Sequence, residues 1–231
     1  FTSGGSEADN LILFNAVLNL GVTRIISSVI EHHAVLHTIA ELEQSHGLSV
    51  AWVNLDAHGF VDFVHLEELL QDESQKTLVS LMHVNNEIGT ILDLKKVSML
   101  CKTYNALFHS DAVQGVGHFN IDVQEIPIDF FVASAHKFHG PKGVGFAYIR
   151  KSFSIQPLLH GGAQERGTRA GTENVHSILG MEKALAIAYE NLETESADIQ
   201  SVKTYFIDLL QSNFEGISFN GNSDDPQKSS Y

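Results

Sequence analysis

Short runs of Val, Ile, Leu and Phe alternate along this chain with longer segments whose apolar residues recur every three or four positions. That alternation marks strands joined by crossover helices, and it restricts the fold to an α/β class with a largely parallel central sheet flanked by helices. Strands are predicted at Arg24–Ile30, Leu48–Asn54, Thr77–Val84, Ala106–Ser110, Ile128–Ser134 and Val144–Ile149. Helices are predicted at Glu7–Leu18, Ala34–Gln44, Leu94–Tyr104, Val175–Asn191 and Ile199–Leu210. Cys101 shares a helical stripe with Val97, Leu100 and Tyr104, which predicts a core thiol. Gly216–Tyr231, rich in Gly, Ser, Asn and Asp, reads as a linker or domain edge.

Charge narrows the partners. The chain of 231 residues has 14 Lys and Arg against 28 Asp and Glu, a formal charge of −14, which argues against direct binding of nucleic acid. The longest apolar runs, such as Leu11-Ile12-Leu13-Phe14, fall short of a membrane span. A single cysteine forms no intrachain disulfide, which fits a reducing compartment and makes the cytoplasm the expected location. Both ends read as cut: the chain opens without Met on Thr2-Ser3-Gly4-Gly5-Ser6 and closes on Ser229-Ser230-Tyr231.

The polar residues fall where an α/β sheet builds sites, beyond the carboxyl ends of its strands. His32 and His33 follow the first strand, Asn85-Asn86-Glu87 the third, Asp111 the fourth, and Ser134, His136 and Lys137 the fifth. Four strands thus deliver donors, acceptors, a carboxylate and an amine to one edge, the pattern of an active site. Ser3-Gly4-Gly5-Ser6 leads into a helix start, with Ser6 and Asp9 spaced as N-cap and reciprocal acid. This is either an anion site or an ordinary capped turn. Lys137, between a buried strand and the Gly140-Pro141 turn, is expected to be partly desolvated and able to form a Schiff base. Asp111 suits the nitrogen of a pyridine ring that withdraws electrons. Thirteen histidines raise the question of a metal, but no ligand set at a recognised spacing occurs.

Six ordered motifs carry a family resemblance. They are Phe1-Thr2-Ser3-Gly4-Gly5-Ser6-Glu7-Ala8-Asp9-Asn10, Glu31-His32-His33-Ala34-Val35 and His83-Val84-Asn85-Asn86-Glu87-Ile88-Gly89. His109-Ser110-Asp111-Ala112-Val113-Gln114 and Ser134-Ala135-His136-Lys137 with Gly140-Pro141-Lys142-Gly143-Val144-Gly145 follow, then Gly161-Gly162-Ala163-Gln164-Glu165-Arg166-Gly167-Thr168-Arg169-Ala170-Gly171-Thr172. From Phe1 to about Glu190 the sequence resembles the cysteine desulfurases of the NifS/IscS group, pyridoxal-phosphate enzymes of the class V aminotransferase superfamily.

The resemblance implies the large domain of a fold-type I pyridoxal-phosphate enzyme over 1–190. Residues 191–231 would continue toward a C-terminal small domain. It makes Lys137 the Schiff-base lysine, Asp111 the partner of the pyridinium nitrogen and His32 the imidazole stacked on the ring. Gln114 becomes the donor to the phenolic oxygen, and Asn86 the neighbour of that oxygen and of the substrate carboxylate. Gly5, Ser6, Ser134 and His136 become phosphate ligands, and Thr172 reaches the phosphate of a neighbouring subunit, which implies a homodimer. The implied reaction converts L-cysteine to L-alanine and passes sulfur to an enzyme cysteine as persulfide. From there it goes to acceptors such as iron–sulfur scaffold proteins. The family's sulfur-carrying cysteine and substrate-binding arginine belong to the small domain and have no counterpart in these residues. Selenocysteine lyases, aminotransferase-like members and a catalytically silent scaffold share the cofactor motifs or the fold. A nicotinamide-binding domain would need a Gly-x-Gly-x-x-Gly turn that this chain lacks.

Overall fold

The computed structural model describes residues 1–222; residues 223–231, the end of the predicted linker, lie outside the described residues. Six strands form one sheet: β1 (Arg24–Ser27), β2 (Ser49–Trp52), β3 (Thr77–Ser80), β4 (Leu107–Asp111), β5 (Phe130–Ser134) and β6 (Gly145–Ile149). Their spatial order is β2-β1-β3-β4-β5-β6. The first five run parallel, and β6 pairs antiparallel with β5.

Helices cover both faces, as a parallel sheet requires. On one side α1 (Gly5–Leu18) and α2 (His33–His46) bury Ile12, Leu13, Ala16, Val35, Ile39 and Leu42 against Ile25, Leu78, Phe130 and Val132. On the other, α3 (Phe63–Leu70), α4 (Leu94–Thr103) and α5 (Val175–Glu190) bring Leu66, Leu70, Val97, Cys101, Met181 and Ala188 onto Ile26, Val79, Phe108 and Phe131. Cys101 is 2% exposed. The long α6 (Leu192–Asn213) buries none of its residues and leaves Val202, Tyr205 and Phe206 on the surface. Among the described residues no helix is long and apolar enough to cross a membrane.

Strand alternation sorts the polar residues onto one face. Side chains two apart share a face, so Ser27, Ser80, His109, Asp111 and Ser134 lie on the same side as Ile25, Leu78, Leu107 and Val132, the side of α1. Three of these, Ser80, His109 and Asp111, sit on adjoining strands, with Ser80 in register with His109. Sheet order reverses direction between β1 and β3, and the loops that leave their carboxyl ends diverge there into a crevice.

Candidate active site

A cleft of about 280 Å³ opens at that crevice, lined by Gly5, Ser6, Asp9, His32, Met82, Asn86, Asp111, Val113, Gln114, Ser134, His136 and Lys137. The expected cluster is therefore brought together, apart from Thr172. That residue is exposed on the loop before α5 and does not line the cleft.

Each wall has a local cause. After β5 the chain tightens into a 3-10 turn, Ala135–Phe138, whose Phe138 is buried while His136 and Lys137 project outward. Lys137 is exposed at the cleft, so the desolvation expected of it is not met. The turn that lifts its side chain off the buried strand also leaves it open to solvent. Beside it, Ser134 Oγ lies 3.0 Å from Nδ1 of His136. His32 caps α2: its Nδ1 accepts the Ala34 N–H at 3.1 Å, which leaves Nε2 to carry the proton of the neutral ring. Asn85 holds the opposite loop by accepting the N–H groups of Glu87 and Ile88 at 2.8 and 3.0 Å, and this turn presents Asn86.

At the amino end of α1 the predicted capping box does not form. Gly4 is the N-cap with no side-chain cap bond, and the Ser3 N–H is accepted by Glu7 at 2.8 Å. Glu7 also accepts from Arg169 Nε at 2.9 Å, tying the helix to the 160s loop. Ser6 thus faces the cleft with unused backbone donors around it, in the field of a helix start. A Cβ at Gly5 would stand 2.7 Å from Val113 Cγ2. Glycine here lets the helix start approach the cleft wall.

Asp9, read from the sequence as a capping acid, is instead 1% exposed and lines the cleft floor. The missed signal was periodic: Asp9, Ile12, Leu13 and Ala16 form one helical stripe facing the sheet. Burial, reinforced by Asp9, pushes Asp111 up to about 7 although its Oδ1 accepts the Val113 N–H at 2.9 Å. Glu31, fully enclosed and hydrogen-bonded by Ser28 Oγ at 2.7 Å, is pushed by burial to about 8. Burial drives His83 and His109 down to about 4.

These shifts predict a pH dependence for the unliganded protein. Glu31 and Asp111 keep protons on folding that the unfolded chain sheds above its ordinary 4.5 and 3.8, so their stabilisation is lost as pH rises through about 8 and about 7 respectively. His83 and His109 act in the opposite sense: their stabilisation is present above 6.5 and is lost as pH falls toward 4. Between pH 6.5 and 8 only the acids change. Denaturant unfolding should therefore show a loss of about 2 kcal/mol from Glu31 over that interval. Glu31→Gln should flatten the curve by that amount, leaving the share of Asp9 and Asp111, and an equally steep curve in the variant would contradict the assignment.

The aminotransferase class-V family profile matches residues 1–231. The chain belongs to the class-V aminotransferase family. Within this family it is 45% identical over 226 residues to a cysteine desulfurase IscS of Clostridium botulinum, covering 97% of this chain and 56% of that protein. A cysteine desulfurase IscS of Dictyoglomus turgidum is 43% identical, with 96% and 56% covered. A solved NifS-like protein superposes with a TM-score of 0.86 at 40% identity, over 91% of this chain and 58% of that one. DndA from Streptomyces lividans gives 0.88 at 30%, over 99% and 64%. The class-V chain thus spans little more than half the length of the relatives it matches.

Proposed function

We propose that this chain is the cofactor-binding large domain of a pyridoxal-phosphate-dependent cysteine desulfurase. The observation that carries the reading is the meeting, in one cleft, of an amine on a turn, a buried carboxylate and a helix start with free donors. The donor set suits the cofactor end to end. The N–H groups of Gly5 and Ser6, with Ser134 and His136, would hold the phosphate; Asp111 would face the ring nitrogen; Gln114 and Asn86 would flank the phenolic oxygen.

Bound there, pyridoxal phosphate supplies an aldehyde for capture of an amino acid and a protonated ring that draws electrons from its α-carbon. Lys137, at the cleft, would hold the aldehyde end of the cofactor and would move the α-proton on its Nζ. Asp111 would hold the proton at the ring nitrogen. His32, held by its cap bond to Ala34 and lining the cleft, would stand beside the ring. Asn86 is placed to position the substrate carboxylate.

The sulfur half of the reaction needs a thiolate. Cys101 is the single cysteine of this chain, and burial pushes its thiol far above the ordinary range. The carrier cysteine therefore belongs to a part of the protein outside these residues. Residues 1–190 would form the large domain, with 191–231 leading to a smaller one. Thr172 would serve the site of a second copy in a homodimer. Acceptors would be iron–sulfur scaffold or thiolation proteins in the cytoplasm.

Full-length protein treated with L-cysteine should release alanine in step with a protein persulfide that alkylation mapping places on a residue other than Cys101. Cys101→Ala should keep turnover and cost about 1 kcal/mol of stability from its small cavity. Absence of alanine would sink the reading, and persulfide on Cys101 would overturn the assignment of the carrier.

A further inference from the structure

Behind Asp111 lies a pair of buried groups that the proposed chemistry does not use. Asp9 on α1 and His109 on β4 are 1% and 0% exposed, and Asp9 Oδ1 lies 3.4 Å from His109 Nε2. Neither oxygen of Asp9 receives a hydrogen bond from the described residues, nor does His109 Nε2 make one. The other ring nitrogen is fixed: His109 Nδ1 lies 2.9 Å from Ser80 Oγ on the neighbouring strand. Around the pair stand Asp111 on β4, Glu31 and His32 after β1, and His136 and Lys137 after β5.

An ionised carboxylate that receives no hydrogen bond, its nearest ring nitrogen 3.4 Å away and a second buried carboxylate beside it, would be among the costliest arrangements a protein interior can hold. A neutral acid changes the account. Its hydroxyl can close the 3.4 Å gap by donating to Nε2, and Nδ1 then carries the hydrogen and donates to Ser80 Oγ. Each atom left without a partner, apart from the acid's carbonyl oxygen, is satisfied by that one proton. We propose that Asp9 and His109 form a positioning pair: Asp9 stays a neutral acid that donates to Nε2 of His109, leaving Asp111 as the anion that faces the cofactor's ring nitrogen.

The role follows from charge placement. A second negative charge on the cleft floor would compete with Asp111 for the ring's proton and would raise the proton affinity of Asp111 itself. Burial pushes Asp9 well above the usual carboxylate range and depresses His109, in the directions the neutral pair requires. The inference rests on the pyridoxal-phosphate reading for its purpose, but the protonation state can be read without any desulfurase chemistry.

The test uses full-length holoenzyme at pH 8. The infrared difference between wild type and Asp9→Asn should contain the C=O band of a protonated carboxyl, lost in the variant; Glu31→Gln separates the band of that neighbour. The pH midpoint of the cofactor's visible absorption should stay in place in Asp9→Asn, because a neutral amide replaces a neutral acid. Removal of a charge would instead move the midpoint by about a unit. His109→Leu takes away the acceptor and should shift the Asp9 band to higher frequency, whereas His109→Gln offers an amide oxygen and should restore it toward wild type. No band lost in Asp9→Asn, a midpoint that moves by about a unit, or a band indifferent to position 109 would overturn the proposal. If His109→Leu does not fold, Asp9→Asn and His109→Gln decide it between them.

Discussion

Lys137→Ala should eliminate every cofactor adduct that borohydride can trap in the full-length protein, while Lys142→Ala should leave trapping intact. Both lysines are exposed, so accessibility does not separate them. Position does. Lys137 leaves the carboxyl end of β5 directly and lines the cleft with Asp111 and His32. Lys142 lies in the Gly140–Gly143 turn and is absent from the cleft lining. The loss is expected to be complete because no other amine lines the cleft among the described residues. Mass spectrometry of the reduced, digested protein gives the answer, and a cofactor mass found on Lys142 would reverse the assignment.

Asp111→Asn should slow exchange of the substrate α-proton by orders of magnitude while part of the cofactor remains bound. The change conserves shape, so the Val113 N–H at 2.9 Å still finds an oxygen. What disappears is the charge that keeps a pyridine nitrogen protonated, and with it the electron sink. Hydrogen–deuterium exchange at the α-carbon, followed by NMR, isolates this step from sulfur transfer. An undiminished rate would remove Asp111 from the mechanism.

The sheet was largely legible because strand burial writes apolar runs into the sequence. Five of the six predicted strands contain an observed one, and β4 runs one residue past its predicted end, to Asp111. They overran where burial outlasts the regular strand: after β3, Leu81, Met82, His83 and Val84 stay buried, and Leu81 and His83 still donate to His109 and Asp111 of β4 before the chain turns to the 90s loop. The eight-residue α3 was missed. Its apolar residues Phe63, Val64, Leu66, Leu69 and Leu70 crowd around the helix, and its one clear signal was Asp62, which caps Val64 and His65.

The candidate site was legible residue by residue where chemistry announces itself, as at Lys137, Asp111 and His32. It was illegible where a polar residue lies within an apolar stripe. Asp9 was read by its spacing from Ser6 rather than by its helical phase with Ile12 and Leu13. The error arose because a capping pair and a buried face place demands on the same positions of a first helical turn.

The amino-terminal segment is fastened to the last strand. Thr2 and Gly145 exchange backbone hydrogen bonds at 2.9 Å in each direction, and a Cβ on Gly145 would meet the Ala133 carbonyl at 2.4 Å and Gly4 Cα at 2.9 Å. The residues at the helix-start end of the cleft are thus held by a strand 143 positions away, 145 minus 2. Closing so long a loop is entropically costly and slow. On the ribosome, Gly5 and Ser6 emerge well before β6 and wait for it before they acquire their final geometry. Completion of the cleft is therefore a late event in the life of the nascent chain, and any polypeptide halted before Gly145 would carry Asp111 and Lys137 yet lack the clasp that sets Gly5 and Ser6 against them.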